Sequence, residues 1–162
     1  MERPVNSSDK FLVSKDEKES AALELQRCLF DMLDLAQQGK QAHWNVTGMN
    51  FRSVHLQLDE IVSTAQSGAD EIAERIATLG SSPDGNAASV ASNSRLTPYP
   101  TGFQSFENTL VLFSGSVEKS VAGLREARQA LSNTDVVSED LTIGLTAELE
   151  KHLWMLRSQA MK

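Results

Sequence analysis

Apolar residues recur at three- and four-residue spacing over four long stretches of the chain, separated by polar or glycine- and proline-rich intervals. That period predicts amphipathic helices, and no stretch alternates convincingly as a strand. The first helix is expected from near Ser14, which has capping-box spacing to Glu17, to about residue 46. Leu25, Leu29, Met32, Leu35 and Ala36 form its apolar stripe, and Gly48 stops it. The second runs from about Arg52 to Leu79 and ends at Gly80, where a glycine closes helices well. The third covers about 104–131. The fourth covers about 136–160, with Leu141, Leu145, Leu149, Leu153 and Leu156 as its stripe.

The connections decide how these helices assemble. Residues 47–51 and 132–135 are short, so their flanking helices are antiparallel neighbours. The segment GSSPDGNAASVASNSRLTPYPTG, 80–102, is long enough to travel the length of a 25-residue helix, roughly 37 Å. Its NAASVASNS portion is compatible with a short helix of its own. Short, long, short connections imply an all-α, ferritin-like four-helix bundle with one long crossover; an up-and-down bundle with a loose loop is the alternative that length leaves open. One domain accounts for residues 1–162, with 1–13 as a flexible N-terminal tail.

Charge narrows the function. Twenty-two acidic residues against 15 basic ones give a net charge of −7, which argues against a surface that coats nucleic acid and favours attraction of cations. The opening MERPVNSSDK lacks the apolar run of a secretory leader, and no later run is long enough to cross a membrane. The single cysteine, Cys28, lies among Leu25, Leu29 and Met32; it reads as a buried core thiol and suits a reducing cytoplasm.

The candidate chemistry lies on the second helix. His55 and Asp59 are one turn apart, as are Asp70 and Glu74, and all four fall on one face. Asp59 and Asp70 are about 16 Å apart along the axis, so a straight helix cannot close both pairs on one ion. Two antiparallel copies can. The midpoint between 59 and 70 and that between 55 and 74 both fall between Thr64 and Ala65. A two-fold axis there sets Asp59 against Asp70 of a second copy, and His55 against its Glu74. Ser63, Thr64, Ala65, Ser67, Gly68 and Ala69 are small enough to let two helices approach at the crossing. His43, at the end of the first helix, is returned towards the same interface by the short turn that follows. Two imidazoles and three carboxylates without a thiolate suit iron, manganese or zinc better than calcium or copper(I). The competing reading of each acid is a solvated face or a pairing with nearby Arg75. The Glu-x-x-His motif of single-chain di-iron bundles is absent: Lys40, Arg52 and Leu149 stand three positions before His43, His55 and His152.

The stretch GKQAHWNVTGMNFRSVHLQLDE, followed by ADEIAERIATLG and later LEKHLWMLR, resembles the Dps family, DNA-binding proteins from starved cells, over roughly residues 12–160. The resemblance implies a ferritin-like bundle assembled as a hollow homododecamer. It implies oxidation of Fe(II), preferably by hydrogen peroxide, with storage of the Fe(III) product inside; zinc or manganese as substitute ions follows from the donor set alone. By the motif match, His43, His55 and Asp59 of one subunit face Asp70 and Glu74 of the two-fold partner. Trp44 matches the tryptophan beside the family's iron site, a position equally suited to an interface anchor. His152 matches no ligand position and reads as structural. Asp135 and Asp140 match the region lining the family's three-fold pore, and acids at a helix start also complement the helix dipole.

Three functions use these features differently. An iron-storing ferroxidase would place one iron firmly on Asp70, Glu74 and His43, with His55 and Asp59 assisting a second. A metal-dependent amide or ester hydrolase would use the same interface to activate water. A DNA-compacting stress protein would need basic tails; MERPVNSSDKFLVSKDEKES mixes Arg3, Lys10, Lys15 and Lys18 with five acids, and the sequence ends at Met161-Lys162 without a basic run. Direct DNA binding near neutral pH is therefore not expected.

Overall fold

In the computed structural model, which describes residues 13–160, the elements are α1 (Lys15–Asn45), β1 (Val46–Thr47), α2 (Phe51–Thr78), α3 (Ala87–Asn93), β2 (Gln104–Ser105), α4 (Phe106–Leu131) and α5 (Val136–Ala160). The expected N-terminal tail lies, but for Val13, outside the described residues.

Local signals set the helix ends. Glu17 donates its backbone N–H to the Ser14 hydroxyl (3.3 Å), and the Ser14 N–H donates to the Glu17 carboxylate (2.8 Å), a complete capping box. Gly80 follows α2 with φ 90°, and Ser81 N–H reaches back to the Ile76 carbonyl at 3.1 Å, which closes the last turn. One difference from the sequence reading concerns strands. Val46–Thr47 and Gln104–Ser105 pair as a short parallel ladder, so α1 ends before Gly48 and α4 starts two residues later than expected. Gly48 turns the chain just after that ladder with φ 110°, where a Cβ would meet the Phe106 ring at 3.0 Å.

Residue pairings establish the topology. Along α1 and α4, Cys28 meets Gly123, Gln38 meets Ser116 and Val46 meets Gln104, so these helices run antiparallel. Since α2 also runs against α1, α2 and α4 are parallel, and residues 80–102 must traverse the bundle. This is the crossover arrangement and not the up-and-down one. The crossover is fixed to α1 along its length. Gln26 and Asp84 exchange two 2.8 Å hydrogen bonds. Asp31, 2% exposed, accepts from the Arg95 backbone N–H and Nε, both at 2.9 Å, and its carboxylate lies 2.7 Å from the same guanidinium's Nη2. Gly123 leaves room for that guanidinium, since a Cβ there would clash with it.

The core lies between all four long helices and includes Leu25, Met32, Leu35, Leu58, Ile61, Ile72, Phe113, Leu124 and Leu149, each under 2% exposed. Cys28 belongs to it, and burial pushes its thiol up to about 12, so it stays protonated.

The antiparallel α2–α5 seam carries polar links among its apolar contacts. One is His152, whose Nε2 lies 3.0 Å from the Thr64 hydroxyl while its buried Nδ1 has no partner among the described residues. Burial pushes its pKa below the usual 6.5; Glu60 and Glu148 act the other way, and Lys151 adds to the depression. The folded state therefore resists a proton that the unfolded chain accepts below about pH 6.5, and stability falls as pH drops from there towards the folded pKa. His152→Gln is expected to flatten that part of the pH dependence in urea unfolding between pH 7.5 and 5. Parallel curves for the two proteins would contradict this role.

Candidate metal centre

The α1–α2 hairpin brings His43, His55 and Asp59 together. His43 stands in the last turn of α1 and His55 in the second turn of α2, and their rings stack with centroids 3.5 Å apart. Phe51, one turn before His55, lies against its ring at 4.9 Å. The end of α1 leaves carbonyls without intrahelical partners. One of them, that of His43, lies 2.8 Å from His55 Nδ1, and reciprocally the His55 carbonyl lies 2.9 Å from His43 Nδ1.

A carbonyl oxygen only accepts, so both Nδ1 atoms must carry the proton. In each neutral imidazole the lone pair is then on Nε2, the nitrogen left to hold a cation. Backbone carbonyls orient metal-binding imidazoles in this way and make them better donors. His43 is 8% exposed, and Asp59 and His55 are half-buried.

Asp59 has two neighbours. The Lys40 ammonium lies 2.5 Å from Oδ1, and His43 Nδ1 lies 3.3 Å from the same oxygen. The hydrogen bond from Lys40 holds the Asp59 carboxyl below the usual carboxylate range, so it is ionised at neutral pH. Lys40 was missed as a participant by sequence reasoning, which noted it only where a Glu-x-x-His motif lacks its glutamate. The same three-residue spacing is the signal that puts it beside His43.

Asp70 and Glu74 are exposed further along α2 and have no side-chain hydrogen bond or ion pair among the described residues. Arg75, the neighbour that would neutralise them, is engaged elsewhere: its Nη2 lies 2.7 Å from Asp135, and its Nε donates to the Ser138 hydroxyl at 3.1 Å. No three His, Cys, Asp or Glu side chains among the described residues converge to hold an ion within one chain. The exposed face of α2 carries Leu56, Ser63, Ser67, Asp70 and Glu74. Of the small residues expected at a helix crossing, Ala65, Gly68 and Ala69 instead face inward, with Gly68 against Met32 and Leu145. Ser63 and Ser67 remain outside, with Thr64 half-buried. Trp44 is 63% exposed at the same end of the hairpin as Met49 and Phe51, which are also exposed.

Of the two acids expected at a pore, Asp135 is 3% exposed and precedes α5, where it accepts from the Ser138 N–H and hydroxyl. Burial alone would raise its carboxyl; the hydrogen bonds from Ser138 and Arg75 outweigh this and hold it below the usual range. Asp140 is exposed and shares a groove of about 510 Å³ between α2 and α5 with Glu71, Glu74 and Glu148. No helix among the described residues is long and apolar enough to cross a membrane.

The family model for the ferritin-like domain matches residues 22–162. A DNA protection during starvation protein of Mycolicibacterium smegmatis is 35% identical over 148 residues, covering 88% of this chain and 79% of that protein. Among solved structures, the tetragonal form of Mycobacterium smegmatis Dps superposes with a TM-score of 0.90 at 32% identity, covering 93% of each chain. Dps from Microbacterium arborescens, solved in a high iron form, gives 0.85 at 32% identity, covering 88% of this chain and 93% of that one.

Proposed function

This chain belongs to the ferritin-like family, among the DNA protection during starvation proteins, and from that premise we propose that it is an iron-storing ferroxidase whose sites are shared between subunits. The observation that carries the reading is the reciprocal histidine lock. It leaves two Nε2 donors and Asp59 at one end of α2, while Asp70 and Glu74 stand unpaired among the described residues at the other. Two copies related by a two-fold axis near Thr64 and Ala65 bring the halves together twice. The high iron form of the Microbacterium relative supports iron as the substrate.

Imidazole and carboxylate donors accept both Fe(II) and Fe(III), so the ion is held before and after it loses its electron. Two Fe(II) ions give one electron each to hydrogen peroxide. Its O–O bond breaks, and with two protons it leaves as two waters. Asp59, ionised and beside His43, and Glu74 supply the negative charge that draws the cations in. The product is stored within a hollow homododecamer in the cytoplasm. With a net charge of −7, the protein protects by removing iron and peroxide and does not coat DNA at neutral pH.

The test is anaerobic Fe(II) addition followed by peroxide, with size measured by light scattering. Two Fe(II) consumed per peroxide by an assembly of twelve is expected; a compact monomer, or peroxide loss without Fe(II) oxidation, contradicts the reading.

Iron access is assigned to Asp140, since Asp135 is committed to Arg75 and Ser138. Asp140→Asn is expected to slow iron uptake in stopped-flow measurements without altering assembly, whereas Asp135→Asn acts on stability. An unchanged uptake rate in Asp140→Asn removes that residue from the path.

A further inference from the structure

Asp31 and Asp34 stand one turn apart on α1 and both serve the crossover, yet only Asp31 has a cation against it among the described residues. Asp34, half-buried, accepts from the Ser94 hydroxyl at 2.5 Å and from Gln38 Nε2 at 3.1 Å. Both bonds fall on Oδ2. Oδ1 has no hydrogen bond among the described residues, and the carboxylate has no ion pair there. Anchoring Ser94 accounts for one oxygen and leaves the charge unanswered.

The same carboxylate lines a cavity of about 350 Å³ between α1 and the crossover, a size within the range of small-molecule sites. Gln37 and Gln41 follow it along one face of α1, while Leu96, Pro98 and Tyr99 line the cavity from the crossover. No Lys, Arg or His lines it. The wall is thus one charged acceptor and two carboxamides on one side, and largely apolar surface on the other. An anion is repelled there, and an alcohol leaves the charge unpaired. A divalent ion needs more oxygens than this set supplies and gains nothing from the apolar wall. A primary ammonium group has three donors and no acceptor, and its methylene stem packs along apolar surface. The Tyr99 ring adds its own attraction for a cation.

We propose that this cavity is a binding site for a small primary alkylamine, with Asp34 as its counter-ion. The ammonium donates to Asp34 Oδ1 and to the carboxamide oxygens of Gln37 and Gln41, and the alkyl stem lies on Leu96, Pro98 and Tyr99. Since these groups come from both α1 and the crossover, an occupied cavity fastens one to the other, as Asp31 and Arg95 do a turn away. The site is independent of the metal centre and of the reading given to it.

Calorimetric titration of the assembled protein with n-butylamine, n-butanol and butyrate compares different head groups on a similar stem. Butylamine is expected to bind saturably, one per chain, and to raise the unfolding temperature. Butanol and butyrate are expected to do neither. Asp34→Asn keeps an acceptor for Ser94 and Gln38 but removes the charge. It should weaken butylamine binding by roughly ten-fold or more, the least that a hydrogen bond to a charged group contributes. Ala91→Leu, on the exposed side of α3 where it lines the cavity, keeps the charge and should weaken binding by filling space. Light scattering confirms that each variant assembles. Butanol binding as well as butylamine, or an Asp34→Asn protein that binds like wild type, overturns the proposal. Affinity unchanged in both variants means only general attraction to an acidic surface, and overturns it too. If Nα-acetyl-lysine methylamide binds far more tightly than butylamine, the cavity takes a lysine of another protein, and the small-amine assignment is wrong.

Discussion

His43→Ala and Glu74→Ala are each expected to lower the rate of peroxide-driven Fe(II) oxidation by at least about 100-fold, the upper end of what losing an outer-shell partner does to a metal site. Each removes a direct donor from every site. His43→Ala also removes the ring that stacks on His55 and the Nδ1–H donated to the His55 carbonyl, although the backbone carbonyl of residue 43 that accepts from His55 Nδ1 stays. Glu74→Ala leaves the histidine lock untouched, so its loss tests the proposed cross-subunit ligand more cleanly. Initial rates followed by ferric absorbance, at matched assembly, decide the matter. A Glu74→Ala protein that oxidises Fe(II) at the wild-type rate has no need of that carboxylate.

The second large effect concerns folding. Asp31→Ala is expected to cost about 3 kcal/mol, the low end for breaking a buried pair because Arg95 retains access to water. Asp31 is 2% exposed and serves the Arg95 backbone N–H as well as the guanidinium, so its loss takes the acceptor from both at the crossover, while the guanidinium keeps Glu126 and water. The exposed Glu118–Arg157 pair provides the comparison, where Glu118→Ala should cost less than about 1 kcal/mol. Urea unfolding that shows equal costs for the two contradicts the view that Asp31 and Arg95 fasten the crossover.

Much of the fold was legible because its determinants are local. Ser14 and Glu17 cap α1, Gly80 ends α2, and Ala87–Asn93 forms the short helix expected within the long connection. The ladder of Val46–Thr47 with Gln104–Ser105 was not legible: it joins segments nearly sixty residues apart, and neither dipeptide has a strand pattern of its own. Cys28 lies in the core, as its apolar neighbours imply, and His152, which matches no ligand position of the resembled family, sits half-buried against Thr64 on the α2–α5 seam.

The site divides in the same way. Helical spacing was enough to gather His55, Asp59, Asp70 and Glu74 on one face. It did not reveal which small residues face outward, since Ala65, Gly68 and Ala69 serve equally well as core and as crossing. The lock between His43 and His55 depends on where α1 stops and so on the tertiary ladder beside it. Asp135 carried a readable signal: Asp-Val-Val-Ser has the spacing of a capping residue bonded to the first turn, which the structure bears out through Ser138.

The composite nature of the site is tested most directly by mixing two inactive proteins. His43→Ala and Glu74→Ala chains are unfolded together and co-refolded, and mixed assembly is verified by mass. In a two-fold pair holding one chain of each kind, one site lacks both ligands. The other takes His43 from the Glu74→Ala chain and Glu74 from the His43→Ala chain, and is complete. Partial recovery of peroxide-driven Fe(II) oxidation, with no wild-type chain present, is the expected result. Mixed, correctly assembled particles that remain inactive would contradict a site built from two subunits.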